Sequence, residues 1–163
     1  MREGEEDDLA ALEWRAARLF ADHGYPAIAA EPPRTTDQFR QLVAGRETWV
    51  AEDSTGRAVG FAVGGARHGI FWLDELAVDP AFGRRGIGAA LLHVWLDAAR
   101  RRSFRQAGLT TFRDIAFNAP FYARHGFAEA ASEQICPELA GARIAETPPG
   151  VDPCARVLML RTL

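Results

Sequence analysis

The segment Phe71–Leu96 constrains this chain most, because it reads as a strand, a turn rich in glycine and arginine, and an amphipathic helix. A helix N-terminus presents unpaired backbone N–H groups and roughly half a positive charge, which together favour a bound phosphate. Gly86 and Gly88 allow a large anion close to the backbone, and Arg84 and Arg85 add positive charge. The pattern predicts a turn that holds a pyrophosphate.

Composition limits the class of protein. A length of 163 residues with 48% hydrophobic and 25% charged residues suits one domain over residues 1–163. The net charge of −3 argues against a nucleic-acid partner. No apolar run is long enough to predict a membrane span, and the acidic N-terminus does not resemble an export signal. We therefore expect a cytoplasmic location, with Cys136 and Cys154 reduced.

The hydrophobic periodicity predicts helices and strands that alternate along the chain. We expect Gly64 and Gly65 to separate a hairpin from the next strand, and Val94 to lie on the buried face of the helix that follows the turn. The order predicts an α/β fold with one mixed sheet. The predicted elements are helices at 7–22, 36–43, 87–102, 118–125 and 137–145, and strands at 48–52, 58–63, 70–78, 107–112, 127 onward and 156–161.

Better-known phosphate and metal sites do not fit the turn. A P-loop requires Gly-Lys-Ser/Thr, and this chain contains no lysine. A dinucleotide fingerprint that starts at Gly86 would need Gly or Ala where Leu91 stands. No Gly-x-Ser-x-Gly elbow is present, and the spacing of the histidines does not match a zinc site, so we predict no metal.

Two segments resemble the GNAT superfamily of N-acetyltransferases. Gly83–Gly88 is similar to its Arg/Gln-x-x-Gly-x-Gly/Ala signature, with Gly83 in place of Arg or Gln. Phe121–Phe127 looks like its Tyr-x-x-x-Gly-Phe motif, so the resemblance covers about residues 48–127. It implies a mostly antiparallel sheet in which a splayed parallel strand pair forms the cofactor cleft. It also implies a strand before the first helix, for which Met1–Glu3 remain.

The resemblance further implies acetyl-CoA as co-substrate. The backbone at the end of the third strand would pair with the pantetheine arm, and the turn would hold the pyrophosphate through its amides. Asn118 has two interpretations, a cofactor contact or a helix cap. The implied cofactor-binding residues are Leu76, Ala77, Val78, Gly83, Arg84, Arg85, Gly86, Ile87, Gly88, Ala89 and Asn118.

Three residues are candidates for catalysis. Asp74 and Glu75 lie on one strand, where alternation points them to opposite faces. Asp74 points to the face of the strand on which the resemblance implies a base, although it could instead pair with an arginine. Glu75 could be part of a structural ion pair. Tyr122 matches the family's general acid, which would protonate or hydrogen-bond the departing thiolate.

These assignments predict direct transfer of an acetyl group to a primary amine in a ternary complex. The alternative is a CoA-binding sensor or regulatory module without transfer activity. Trp72, Tyr25 and Phe117 are the expected wall of the acceptor pocket. The acceptor is expected to be a small-molecule amine or a protein N-terminus, and the sequence is compatible with either a monomer or a homodimer.

Overall fold

The computed structural model describes residues 4–67 and 69–163, so the strand expected at Met1–Glu3 lies outside the described residues. Within the described residues the strands form one mixed sheet in the order β1-β2-β3-β4-β6-β5. The elements are α1 Glu6–Ala17, α2 Pro26–Ala30, α3 Thr36–Val43, β1 Glu47–Glu52, β2 Ala58–Arg67, β3 Ile70–Val78, α4 Ile87–Arg101, β4 Gln106–Phe112, α5 Ala119–Arg124, β5 Ala128–Glu129, α6 Pro137–Ala145 and β6 Arg156–Thr162.

The pairing of the strands confirms the predicted mixed α/β fold. β1 and β2 form an antiparallel hairpin, and β6 pairs antiparallel with both β4 and β5. β3 and β4 run parallel, with Phe71 opposite Ala107 and Trp72 opposite Gly108. A parallel pair needs a crossover connection, which the chain supplies through α4.

Local signals explain most of the helix boundaries. Acidic residues fill the first turn of α1, where they interact favourably with the helix dipole. Thr35 and Gln38 form a capping box that starts α3. The sequence predictions missed α2, although Pro26 in its first turn is a typical start signal.

Two expectations about the sheet and α4 were wrong. Gly64 and Gly65 lie inside β2, because Gly64 pairs with Glu47 of β1 and the strand continues to Arg67. Val94 is 46% exposed. At 100° per residue, the buried arc of α4 is centred between Leu92 and Trp95, roughly 120° away from Val94.

The chain divides into two compact units. The first comprises Gly65 and the residues before it, together with Leu73–Ala98. Its core packs α1 and α3 on β2, with the rings of Phe39 and Phe61 edge to face at 5.5 Å between their centroids. A Cβ at Gly60 of β2 would lie 3.2 Å or less from the side chains of Ile87 and Leu91 and from the carbonyl of Ala77, so α4 packs closely on the hairpin.

The second unit comprises Ala66–Trp72 and Ala99–Leu163. Its core includes Trp72 and Leu160 from the sheet and Leu139 from α6. Gly108 allows this packing, because a Cβ there would stand 2.7 Å from the Cδ1 atom of Ile70 and 3.1 Å from the ring of Trp72.

Candidate functional site

The turn between β3 and α4 begins with a single turn of 3₁₀ helix at Pro80–Phe82, which Asp79 caps by accepting a hydrogen bond from the N–H of Ala81. Gly86 has φ of +81°, a left-handed conformation that favours glycine, and open space where a Cβ would point. α4 starts at the next residue, and the Ala90 N–H donates to the carbonyl of Gly86 at 2.9 Å. The predicted strand–turn–helix arrangement is confirmed.

The amides of this turn are available to a ligand. From Arg84 to Ala89, six consecutive backbone N–H groups find no hydrogen-bond acceptor within the described part of the chain. Six unsatisfied donors at the N-terminus of a 15-residue helix attract an anion. Arg84 and Arg85 are exposed beside them, and the Arg85 guanidinium lies 5.3 Å from the ring centroid of Phe82. The turn therefore offers hydrogen-bond donors and positive charge that suit a phosphate group.

Leu76, Ala77 and Val78 form the last residues of β3, directly before this turn. Ala77 is buried in the core of the first unit, while Leu76 and Val78 are partly exposed. The N–H of Asp79, one residue further, donates to the carbonyl of Val59 on β2 at 3.0 Å. The expected pairing of this segment with pantetheine stays a prediction.

Asp74 lies on one face of β3 and is engaged by an arginine. The Nε atom of Arg46 donates to Asp74 Oδ2 at 2.7 Å, and the Asp74 side chain is 11% exposed. Arg46 also donates to the carbonyl of Ala44, which fixes its position. The sequence left open whether Asp74 pairs with an arginine, and the structure contains this ion pair.

Glu75 is in a different environment. Its Oε1 accepts from the N–H of Leu76 at 3.2 Å. Burial, reinforced by the negative charge of Glu13, raises the pKa of Glu75 from the ordinary value of 4.5 to about 8, while Arg34 acts in the opposite direction. A carboxyl group with this pKa can both accept and donate a proton near neutral pH.

Tyr122 belongs to α5, in the second unit. Its side chain is buried, and its ring packs edge to face on Phe121 and Phe127, with centroid distances of 5.1 and 5.9 Å. Gly126, with φ of +81°, ends the helix and turns the chain so that the Phe127 N–H donates back to the Tyr122 carbonyl. The Tyr-x-x-x-Gly-Phe motif thus produces a fixed, aromatic setting for the tyrosine.

Asn118 occupies the N-cap position of α5, but its side chain does not cap the helix, so that interpretation was wrong. Its Nδ2 instead donates to Thr111 Oγ1 of β4 at 2.8 Å. Its Oδ1 is buried and accepts no hydrogen bond from the described residues. A buried acceptor without a donor is unfavourable, and an amide N–H of a ligand would satisfy it.

The residues predicted to line an acceptor pocket have different exposures. Trp72 is fully buried, its Nε1 donates to Glu146 Oε1 at 3.2 Å, and the guanidinium of Arg67 lies 5.2 Å from the ring centroid. Tyr25 is partly buried at the N-cap of α2, and Phe117 is 37% exposed. Their role as a pocket wall stays a prediction.

Sequence reasoning missed the partners of these residues. Arg46 binds Asp74, and the charges of Glu13 and Arg34 act on Glu75. Glu146 accepts from Trp72, Arg67 and Thr110. None lies in a motif. Glu13 lies on the same face of α1 as the buried Leu9, and this helical spacing is the one sequence signal that could have identified it.

The described residues contain neither a metal-binding cluster of side chains nor a helix suited to cross a membrane. Across residues 4–67 and 69–163, no cluster of three or more His, Cys, Asp or Glu side chains is arranged to hold a metal ion. No helix in that part of the chain combines the length and the apolar character that crossing a membrane requires.

Known proteins share this fold. The ribosomal-protein-S18-alanine N-acetyltransferase from Escherichia coli superposes with a TM-score of 0.70 and 18% identity, over 99% of this chain and 90% of that one. N-acetylglutamate synthase from Neisseria gonorrhoeae was solved with coenzyme A and N-acetyl-glutamate. It superposes with a TM-score of 0.70 and 18% sequence identity, over 99% of this chain and 34% of that one. At these identities the likeness establishes the fold.

Sequence comparison identifies the family. An amino-acid acetyltransferase from Mycobacterium tuberculosis is 38% identical over 91 residues, which are 52% of this chain and 47% of that protein. The match thus spans about half the length of that relative. The model of the acetyltransferase (GNAT) domain matches residues 44–129, which include the turn, β3, Tyr122 and Gly126. The chain therefore belongs to the GNAT acetyltransferase family.

Proposed function

We propose that this chain, as one N-acetyltransferase domain over residues 1–163, transfers an acetyl group from acetyl-CoA to a primary amine. The observation that carries the proposal is the row of six backbone amides at Arg84–Ala89 that donate to none of the described residues, in a chain that belongs to this family. Acetyl-CoA supplies a thioester carbonyl as the electrophile. The chain's own residues must then bind the cofactor, bind the amine, and take a proton from it.

The cofactor would be held by groups from several elements. The amides of Arg84–Ala89 would bind the pyrophosphate, with the exposed guanidinium of Arg84 beside them. The backbone of Leu76–Val78 would pair with the pantetheine arm. Asn118, whose buried Oδ1 accepts no hydrogen bond from the described residues, is a further residue that we propose for cofactor binding.

Glu75, rather than Asp74, is the base we propose. An alkylammonium with a pKa near 10.4 is only about one part in 10³ free base at neutral pH, so it must lose a proton before attack. Transfer to a carboxylate with an ordinary pKa is uphill by about 8 kcal/mol, whereas transfer to Glu75, with a pKa of about 8, is uphill by about 3 kcal/mol. Asp74 would support the strand through its ion pair with Arg46.

Tyr122 would hydrogen-bond the sulfur as negative charge develops there. A phenol with a pKa near 10 does not transfer its proton fully to a thiolate with a pKa near 8.5 without further tuning. A hydrogen bond alone stabilises the leaving group at the moment of bond breaking. The packing of the ring between Phe121 and Phe127 would limit rotation of the tyrosine.

The acceptor we propose is a small amine, with free α-amino acids as the first class to test. A relative that is 38% identical over half of this chain is named an amino-acid acetyltransferase. The negative net charge also favours a cationic acceptor and disfavours nucleic acid. We propose the cytoplasm as the compartment, where Cys136 and Cys154, both free, would remain reduced.

One experiment tests transfer and separates it from mere binding. The protein is incubated with acetyl-CoA and the 20 amino acids, simple alkylamines or short peptides, and both CoA and the acetylated product are measured by mass spectrometry. Release of CoA with one acceptor and formation of its acetyl product support an enzyme. Binding of acetyl-CoA without turnover in any mixture would favour a sensor module.

A pair of glycine variants tests the turn itself. Gly86→Ala should weaken acetyl-CoA binding at least tenfold by calorimetry, because alanine resists the φ of +81° that orients the amides. Gly56→Ala is the matched control, since Gly56 has φ of +83° and equally open surroundings in the β1–β2 turn. Equal affinity of both variants and the wild type would show that the turn does not hold the cofactor.

A further inference from the structure

We infer that Asp79 is a positioning residue for the proposed cofactor-binding turn, and that Arg15 of α1 holds it in place. The inference rests on the proposed function only where it assigns the turn to acetyl-CoA. The contacts themselves belong to the free protein, so their effect on the turn can be measured without a cofactor or an acceptor.

Asp79 is buried, with only 3% of the residue exposed, and each of its polar atoms has a partner. Its backbone N–H donates to the carbonyl of Val59 at 3.0 Å, and its own carbonyl accepts from the N–H of Phe82 at 2.8 Å. In the side chain, Oδ1 accepts from the N–H of Ala81 at 3.0 Å. The second oxygen, Oδ2, is left for a group from outside the turn.

Arg15 of α1 supplies the main partner of that oxygen. Its Nε and Nη2 atoms lie 2.9 and 2.8 Å from Asp79 Oδ2. Arg57, in the turn between β1 and β2, places a second guanidinium 3.5 Å from the same oxygen. A buried carboxylate is unfavourable unless it is paired, and here two cations compensate one anion. The ion pair therefore joins α1 to the end of β3.

The row of available amides begins where the hydrogen bonds of this anchor end. The carbonyl of Pro80 accepts from the N–H of Gly83 at 3.1 Å, so hydrogen bonds fix the backbone as far as Gly83. The next six N–H groups, Arg84–Ala89, donate to none of the described residues. Their direction is therefore set from two sides, by the contacts of Asp79 and by α4, which begins at Ile87.

The helix α1 is a firm reference for the turn because it packs into the core of the first unit. Leu9 and Leu12 of α1 are fully buried in the same cluster as Phe61 of β2. Arg15 follows Leu12 by three residues, so the two side chains are neighbours on the helix surface. Loss of the contact between Arg15 and Asp79 should thus displace the amides, and displaced donors bind a phosphate less well.

The charge of Asp79 and its place in the anchor predict effects of opposite sign. Acetyl-CoA is a polyanion, so on charge alone Asp79→Asn should tighten its binding by removing a negative charge. The positioning role requires weaker binding, because the asparagine NH₂ group would face the guanidinium of Arg15 with donors only. We expect the affinity for acetyl-CoA, measured by calorimetry, to fall about tenfold, which corresponds to about one lost hydrogen bond.

Variants near the end of α1 separate the ion pair from the charge of the helix. Arg15→Gln should weaken binding by a similar factor, and combining it with Asp79→Asn should add little, because both break the same contact. Arg15→Lys, which keeps the charge and one nitrogen donor, should recover part of the loss. Arg18→Gln is the matched control, since it removes the same charge from an exposed site directly after α1 and should leave binding nearly unchanged.

NMR of the free protein gives a readout that does not depend on the cofactor. Asp79→Asn and Arg15→Gln should shift the ¹⁵N–¹H signals of Arg84–Ala89 and lower their heteronuclear NOE, whereas Arg18→Gln should leave them in place. A merely structural role would lower the free energy of urea unfolding without selectively moving these signals. In an active enzyme, the KM for acetyl-CoA should rise while kcat changes little.

The outcomes separate this inference from the proposed function. Turn signals that do not move, unchanged affinity in both variants, or tighter binding by Asp79→Asn would overturn the positioning role, even in an active enzyme. Shifted turn signals in variants of a wild type that binds no acetyl-CoA would support the positioning role and reject the function. If Asp79→Asn does not fold, Arg15→Gln and Arg15→Lys provide the same test, because they leave the sequence of the turn unchanged.

Discussion

Replacing Glu75 with glutamine should change how the stability of this protein depends on pH. The pKa of Glu75 is raised from 4.5 to about 8 in the folded state, so the folded protein holds this proton more tightly than the unfolded chain. The resulting stabilisation is fully present below pH 4.5 and is lost as the pH rises through 8. A glutamine side chain at this position does not titrate, and the variant should lack this loss.

The size of the effect follows from the two pKa values. Each pH unit between them lowers the free energy of unfolding of the wild type, relative to the variant, by about 1.4 kcal/mol. The full range gives an upper limit of about 5 kcal/mol, which the partial exposure of Glu75 reduces. We therefore expect a relative change of about 2 kcal/mol between pH 5 and pH 7.

The assay is urea unfolding at pH 5, 6, 7 and 8, followed by the fluorescence of the four tryptophans. The difference between wild type and Glu75→Gln is compared across pH, because the histidines contribute equally to both proteins and cancel. Glu133→Gln provides the control at an exposed site. Parallel curves for the wild type and the Glu75 variant from pH 5 to pH 8 would refute the raised pKa of Glu75.

Three further substitutions test packing and chemistry. Gly108→Ala should destabilise the protein by about 1–3 kcal/mol in thermal unfolding, because its Cβ would stand 2.7 Å from the Cδ1 of Ile70; an unchanged Tm would contradict the close packing. Gly141→Ala, in α6 with open space around it, should instead stabilise by about 0.5–1 kcal/mol, and a lower Tm would argue against that helix. Tyr122→Phe should lower turnover at least tenfold with little change in acetyl-CoA affinity, and unchanged turnover would remove its proposed role at the sulfur.

Local features of the fold were predictable because short-range chemistry decides them. Gly86 and Gly126 have the positive φ that ends or reverses a segment, and α3 starts at the residue that a capping box predicts. The bounds of β3 and α6 agree with the predicted ranges for the same reason. Gly64 shows where local chemistry is not enough. A glycine pair favours a break in the strand, but pairing of Gly64 with Glu47 of β1 keeps it inside β2.

The sequence by itself determined the family motifs: the glycine- and arginine-rich turn, the two acidic residues on β3, and the tyrosine before Gly126. Only the tertiary structure decided that Arg46 binds Asp74, while burial and the charge of Glu13 raise the pKa of Glu75. It also decided that Asn118 bonds Thr111 instead of capping α5. The reason is physical. A turn depends on neighbouring residues, whereas the charge state of a carboxyl group depends on burial and on charges that the fold brings close from distant parts of the chain.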